Sequence, residues 1–425
     1  MTRRPSDPQG ECIGKSSGSI GRKARILGAC LLPAIVVGSL ITLAGIASRH
    51  ADASSVVVTP VPTAAAGRPP MGWNDWYEDR CGVTESDILT SARRLVSTGL
   101  ADDGYNTVVI DDCWMASARS ASGALVADPA TFPDGIAYVA RQVHSLGLKL
   151  GIYESAGTAT CAGRPGSYGH YTQDAKTFAS WGVDFVKLDF CHLPSDANPA
   201  TLFNQFGTAL HKADPSIVYS QELPVHAGSA PASSAFTSLI AASAAISNMW
   251  RIAPDEKPAV AAGVSITRHL EADLPLYSYA SPGHWNDLDM LLAGNSAFRY
   301  SLPEQENQAD VWAMESSPLI ASDDLTSAAS LKVLGNKKVI DIDQEGDQGK
   351  LIETEASVDV IAKPGSVMLV NTSSTRAGVH FKTRDQLVNV WGNGRPARTT
   401  SGYLNRTLPA YGVLMFTISK SGSGG

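Results

Sequence analysis

Short apolar runs recur along the middle of the chain, and most of them end in a charged or polar group. The first is Asn106-Thr-Val-Val-Ile-Asp-Asp112. Lys149-Leu-Gly-Ile-Tyr-Glu154, Phe185-Val-Lys-Leu-Asp189 and Ile217-Val-Tyr-Ser-Gln-Glu222 follow it. Between the runs the spacing changes to that of helices. Ile136, Val139, Ala140, Val143 and Leu146 form a stripe at a period of 3.6 residues, stopped by Gly147. Helices are also predicted around Gln173 to Trp181, ending at Gly182, and over Leu202 to Lys212. Ala245 to Trp250 and Pro318 to Ala321 continue the series of strands. Strand and helix alternating at roughly 30 to 45 residues mean parallel βαβ units. About eight such units fit between Met71 and Leu334, the length of a closed (β/α)8 TIM barrel. An open doubly wound sheet is the alternative, but no Gly-rich phosphate loop follows any of the strands.

From about Lys337 the pattern changes again. Val358 to Ala362, Ser366 to Asn371, Val379 to Phe381, Leu387 to Trp391 and Tyr411 to Ile418 are short β-type runs separated by turn residues. They predict an antiparallel β domain over 337–420, after a barrel over 68–336. Ser421 to Gly425 reads as a tail.

The amino terminus reads as an export segment over 1–53. Arg3, Arg4, Lys15, Arg22, Lys23 and Arg25 give a basic start, and Ile26 to Ala47 carries no charge. Ala51-Asp52-Ala53 resembles a signal-peptidase site, whereas the apolar run is long enough to span a bilayer. Cleavage after Ala53 and retention as an anchor are both open. Residues 54–67 read as a linker. The expected location is secreted, with cell-surface anchoring as the alternative.

Over the 425 residues, 44% are apolar and 18% charged, as in ordinary globular proteins. The formal net charge of −7 argues against nucleic acid as a partner. A membrane enters only through the N-terminal segment, if uncleaved. Cys12 and Cys30 fall in the export segment, which leaves Cys81, Cys113, Cys161 and Cys191. In an oxidising compartment these read as structural disulfides, and spacing alone does not choose among three pairings. No C-x-x-C or H-x-x-x-H pair supports zinc, so neither metal nor cofactor is expected.

The polar strand ends are the candidate chemistry. Asp111, Asp112, Tyr153, Glu154, Lys187, Asp189 and Glu222 close successive runs, and in a barrel those ends converge on one face. A single Asp there is often a cap or turn residue. A series of buried acids is costly and points to a use for the charge. Paired carboxylates without a metal fit glycoside hydrolysis. Lys187 shares a strand face with Asp189, so its ammonium is expected to keep Asp189 ionised. Trp73 and Trp76 offer aromatic faces for a sugar ring, with burial in the core as the alternative use.

Met71-Gly-Trp-Asn-Asp-Trp76, Asp111-Asp-Cys-Trp114, Thr160-Cys-Ala-Gly-Arg-Pro-Gly-Ser167, Trp181-Gly-Val-Asp-Phe-Val-Lys-Leu-Asp-Phe-Cys191 and Trp285-Asn-Asp-Leu-Asp-Met290 resemble glycoside hydrolase family 27. That is the family of α-galactosidases and α-N-acetylgalactosaminidases. The resemblance, from about Arg68 onward, implies a (β/α)8 barrel, an antiparallel β-sandwich, and hydrolysis of terminal galactose from a carbohydrate substrate with retention of configuration. It implies Asp189 as nucleophile and, through Arg251-Ile-Ala-Pro-Asp255, Asp255 as general acid/base, with Glu256 as the competitor. It implies Trp76, Asp111, Asp112, Tyr153, Lys187, Glu222 and Arg251 as sugar contacts. Glu222 matches the position where the N-acetylgalactosamine enzymes carry a small residue, which favours an unsubstituted 2-hydroxyl. The resemblance pairs Cys81 with Cys113 and Cys161 with Cys191, and gives Asp287 and Asp289 supporting roles. Gln221, Leu223 and Phe190 depart from the common residues. They leave β-L-arabinopyranosides, α-N-acetylgalactosaminides and dextran as alternative substrates. An inactive cell-surface sugar-binding protein is the alternative of another class.

Overall fold

The computed structural model describes residues 63–224 and 233–419; the export segment, residues 54–62 of the linker and the tail lie outside them. Among the described residues no helix is long and apolar enough to cross a membrane. The first eight strands are Met71–Asn74 (β1), Thr107–Ile110 (β2), Lys149–Ser155 (β3), Phe185–Asp189 (β4), Val218–Gln221 (β5), Met249–Arg251 (β6), Trp285–Asp287 (β7) and Leu319–Ala321 (β8). Helices Glu85–Ser97 (α1), Ile136–Ser145 (α2), Tyr171–Trp181 (α3), Pro199–Ala213 (α4), Ser234–Ala244 (α5), Ala262–Asp273 (α6), Leu302–Met314 (α7) and Ala328–Leu334 (α8) alternate with them.

Parallel ladders run β7-β6-β5-β4-β3-β2-β1-β8. The seam between β7 and β8 closes through Leu291, whose N–H donates to Ile320 O at 2.8 Å and whose carbonyl accepts from Ser322 N at 2.9 Å. The result is the expected (β/α)8 barrel. Its strands are buried on both faces, which is why they read as continuous apolar runs. Local signals set the helix ends. Thr84 and Asp87 form a reciprocal capping box at the start of α1, worth about 1 kcal/mol. Gly182 ends α3 at φ 78°, a conformation most residues avoid.

The change of pattern expected at Lys337 comes slightly later in the structure. Lys337–Gln344 forms a ninth helix (α9), and the first strand of the β domain is Lys350–Glu355 (β9). Val358–Lys363 (β10), Ser366–Asn371 (β11), Ala377–Lys382 (β12), Gln386–Asn389 (β13), Tyr403–Leu408 (β14) and Val413–Ser419 (β15) complete it. Five strands form one antiparallel sheet in the order β13-β15-β11-β10-β9, and β12 pairs with β14 in a second. Strand β11 is buried along its whole length because both of its faces are used. Val367 and Leu369 point into the core between the two sheets, with Val360, Leu404 and Phe416. Met368 and Val370 point the other way, into the core shared with the barrel. Asn371 is fully buried with its amide donating to Thr375 O and Pro409 O. Asn371-Thr-Ser and Asn405-Arg-Thr are both N-glycosylation sequences; the first is therefore closed in the folded chain, whereas Asn405 is exposed.

The β domain also meets the barrel across α6. A Cβ built on Gly263 would stand 2.4 Å from Tyr411 Cβ and 2.8 Å from its Cγ. Gly263→Ala is expected to lower stability by about 1–3 kcal/mol through overpacking, read as a shifted urea midpoint. An unchanged midpoint would mean that Tyr411 yields at this contact without cost.

Candidate active site

Strand register brings the acidic ends together. Tyr153 on β3 lies opposite Lys187 on β4, and Ser155 lies opposite Asp189. Lys187 is opposite Ser220 on β5, and Arg251 on β6 is opposite Asp287 on β7. Side chains alternate along a strand, so Lys187 and Asp189 both face the barrel axis. A cavity of about 330 Å³ opens at the carboxyl ends of the strands. Trp76, Tyr77, Asp111, Asp112, Tyr153, Cys161, Lys187, Asp189, Glu222, Arg251 and Asp255 line it. A wider surface depression between α3 and α4, around Tyr168 and Gln205, has no acid in its lining.

Every residue expected to act or bind at the site lines this cavity. Trp73 does not: it is fully buried, with its indole N–H donating to Asp323 O at 2.7 Å. Glu256 does not either. It is buried beside the site, where Ser265 Oγ and Tyr300 Oη donate to its Oε2. The neighbouring Asp255 reaches the cavity with 49% of its side chain accessible. Glu154 points away and is fully buried.

The contacts form a chain of charge. Lys187 Nζ donates to Asp111 Oδ2 at 2.9 Å and lies 3.2 Å from Glu222 Oε2. Arg251 lies 3.6 Å from Glu222 Oε1, 3.0 Å from Asp255 Oδ1 and 2.8 Å from Asp289 Oδ1. Asp111 also accepts from Asn74 Nδ2 at 2.8 Å. Asp112 accepts from Cys113 N at 2.6 Å and from Ala162 N at 2.8 Å. Asp189 accepts from Tyr153 Oη at 2.7 Å and from Phe190 N at 2.6 Å.

Lys187 was expected to pair with Asp189, and the structure corrects this. The ammonium is held by Asp111 and Glu222 instead, and the Tyr153 hydroxyl takes the place beside Asp189. Burial and the charge of Glu222 together raise the Asp189 carboxyl to about 7, against the pull of Lys187, Tyr153 and the Phe190 N–H. The nucleophile candidate is therefore not held low in the empty pocket. Burial also works upward on Glu222, but Arg251 and Lys187 outweigh it and hold that acid at about 2. Asp255 is pushed well above the usual carboxylate range by withdrawal from water and by the charge of Glu222.

Two disulfides brace the rim, Cys81–Cys113 and Cys161–Cys191, as the resemblance implied. Cys161 Sγ lies 3.0 Å from Asp189 Oδ2. Bonded to Cys191, it has no proton to give, so this is a packing contact. One residue of the lining was missed from the sequence, and one named only as supporting is a close partner of the site. Tyr77 lines the cavity and donates to Asp289 Oδ2 at 2.7 Å. Asp289, given only a supporting role above, is the nearest partner of Arg251 and also accepts from Glu256 N at 2.9 Å. Its φ of 80° is uncommon for a non-glycine residue, and places of such strain cluster at active sites. The signal lay within the Trp285-Asn-Asp-Leu-Asp-Met290 block, where periodicity alone gives Asp289 no direction.

Comparison with known proteins fits this geometry. The family model described as Alpha galactosidase A matches residues 68–345. The chain belongs to this family. An Alpha-galactosidase A from Cellvibrio japonicus is 33% identical over 392 residues, covering 83% of the chain and 92% of that protein. Alpha-N-acetylgalactosaminidase from Gallus gallus is 38% identical over 316 residues, covering 70% and 76%. The crystal structure of alpha-galactosidase I from Mortierella vinacea superposes with a TM-score of 0.73 at 30% identity, covering 84% of this chain and 98% of that one.

The raised Asp189 carboxyl has a consequence for stability. Below its ordinary value near 3.8 it is protonated in both folded and unfolded chains and contributes nothing. As pH rises toward about 7, the folded chain keeps a proton that the unfolded chain has lost, so stability falls. Asp189→Asn removes this dependence. The variant is expected to gain thermal stability over the native chain between pH 4 and 7, and to hold a constant gain above that. A difference in melting temperature that does not vary with pH would contradict the assignment.

Proposed function

We propose that this family member is an exported retaining α-galactosidase, with Asp189 as nucleophile and Asp255 as general acid/base. The observation that carries the reading is the cavity itself, where these two carboxyls meet the sugar contacts expected of the family. In the first step Asp189 attacks the anomeric carbon while Asp255 protonates the leaving glycosidic oxygen. A carboxyl pushed upward by burial and by Glu222 keeps its proton to higher pH, which suits Asp255 to that step. In the second step Asp255 takes a proton from water as the water displaces Asp189. The configuration is inverted twice and so retained.

Asp111 and Asp112 are acceptors for the 4- and 6-hydroxyls, and Trp76 is the wall for the apolar face of the ring. A sugar of the wrong epimer would leave buried acceptors unpaired, which favours galactose over glucose. Glu222 matches the position where the N-acetylgalactosamine enzymes carry a small residue, which supports the unsubstituted sugar as the substrate. Arabinopyranosides lack only the 6-hydroxyl arm and are the nearest competitor in shape. Export is supported by the basic, apolar N-terminal sequence and by the two disulfides, which persist in oxidising compartments.

Hydrolysis of p-nitrophenyl α-galactoside tests the reading, with p-nitrophenyl β-L-arabinopyranoside, the α-N-acetylgalactosaminide and dextran as controls. The α-galactoside is expected to give the highest kcat/KM. Asp189→Asn is expected to abolish turnover while leaving galactose binding largely intact. Asp255→Asn is expected to cost about 10²- to 10⁴-fold in kcat/KM. Hydrolysis of dextran or the arabinoside alone would overturn the substrate assignment, and unchanged turnover in Asp189→Asn would remove it from the chemistry.

A further inference from the structure

Glu222 lines the same cavity as the two carboxyls assigned to the chemistry. Lys187 and Asp189 face it from β4, Arg251 from β6, Asp255 from the loop after β6, and Asp287 from the end of β7. Asp111 reaches the same ammonium from the end of β2, and Tyr153 on β3 faces Asp189. Two other acids of the cluster, Asp111 and Asp289, are covered by more donors. Asp111 has Lys187, Asn74 Nδ2 and the Asp112 N–H. Asp289 has Arg251, the Tyr77 hydroxyl and two backbone N–H groups. Glu222 is held by two cations that it shares with other acids: Arg251 lies 3.6 Å from Glu222 and 3.0 Å from Asp255, and Glu222 lines the same cavity as Asp255 and Asp189.

We infer that Glu222, beyond touching the sugar, is the positioning residue that sets the pH range of the reaction, by holding the proton on Asp255 and opposing ionisation of Asp189. The inference rests on the roles proposed above for those two residues. Its physical basis is a single negative charge that is a near neighbour of both. A carboxylate charge near Asp255 makes loss of its proton harder. The same charge beside Asp189 makes a second negative charge there harder to form. Glu222 also occupies Lys187 and Arg251, which would otherwise act more fully on Asp189 and Asp255. All three effects have the same sign.

The consequence is specific. The acid limb of kcat/KM reports ionisation of Asp189 and the alkaline limb reports loss of the proton from Asp255. Glu222→Gln keeps the shape and a hydrogen-bonding amide but removes the charge. Both limbs are expected to move to lower pH, each by about one unit. A residue with only a steric or folding role would lower the rate at every pH and leave the limbs in place. Glu222→Asp, which keeps the charge, is expected to leave the limbs close to their native positions.

The experiment is kcat/KM against pH for p-nitrophenyl α-galactoside in the native enzyme, Glu222→Gln and Glu222→Asp, with circular dichroism to show that each is folded. If Glu222→Gln turns over too slowly or folds poorly, Glu222→Asp still reports: limbs displaced as the charge is retained would overturn the inference. A second readout needs no turnover. The melting-temperature gain from Asp189→Asn, measured in the Glu222→Gln background, is expected to level off at lower pH than in the native background. A bell in its native place in Glu222→Gln, or a gain that levels off at the native pH, overturns the inference. Absence of α-galactoside hydrolysis by the native enzyme would instead sink the functional reading on which it rests.

Discussion

The site is governed by an imbalance of charge. Asp111, Asp112, Asp189, Glu222, Asp255, Asp287 and Asp289 gather around Lys187 and Arg251. Two cations cannot neutralise that many acids away from water, and an unpaired buried charge is expensive. The outcome depends on which acids the cations reach. Lys187 reaches Asp111 and Glu222, and Arg251 reaches Glu222, Asp255, Asp287 and Asp289. Glu222, touched by both, stays ionised. Asp189 and Asp255, beside that fixed negative charge, keep their protons to higher pH. One carboxyl poised to lose its proton and another poised to give one are what a double displacement needs, and the division follows from where two side chains reach.

Much of this was legible in the chain. Residues at the ends of apolar runs had to converge once the strands were parallel, because a barrel gathers the carboxyl ends of its strands on one face. Thus Asp111, Asp112, Tyr153, Lys187, Asp189 and Glu222 could be placed together from pattern alone. Asp255 could not, since Pro254-Asp255-Glu256-Lys257-Pro258 is a loop whose periodicity carries no direction. Only the resemblance separated it from Glu256, and the structure puts the two on different sides of the wall. The pairing of Lys187 with Asp189 was misread for a related reason. Strand periodicity says which face a side chain shares but not how far a four-carbon stem swings, and Lys187 swings across to the ends of β2 and β5.

Two elements missed by pattern have opposite physical causes. Helix α7 lies between the barrel and the β domain and is buried on several faces, including Gln305, Gln308 and Asp310, so it carries little amphipathic contrast. Strand β9 fails in the opposite way: it is exposed along almost its whole length and lies at a sheet edge, so polar and apolar residues mix freely. Strand β11 was the easiest to find because both of its faces are covered. The layer that was hard to see as a helix is the one that makes this strand so plain, since α7 supplies the barrel side of its cover.

The rigidity of the rim explains how so unfavourable a cluster is kept in place. Like charges that repel can be relieved by moving apart, and loops at strand ends are where a barrel would allow it. Here the loop after β3 is bonded through Cys161 to Cys191, two residues beyond Asp189, and its Ala162 N–H holds Asp112. Cys81 ties the β1 loop to Cys113, the residue after Asp112, which sits at φ 80°. Each disulfide therefore anchors the chain next to an acid that electrostatics alone would push outward. The crosslinks limit the freedom of the unfolded chain and the escape of the folded one, and they do so at the acids that face the substrate. The extended core of the barrel and β domain supplies the stability that the site consumes, and sites with strained or unpaired groups are ordinarily supported in this way.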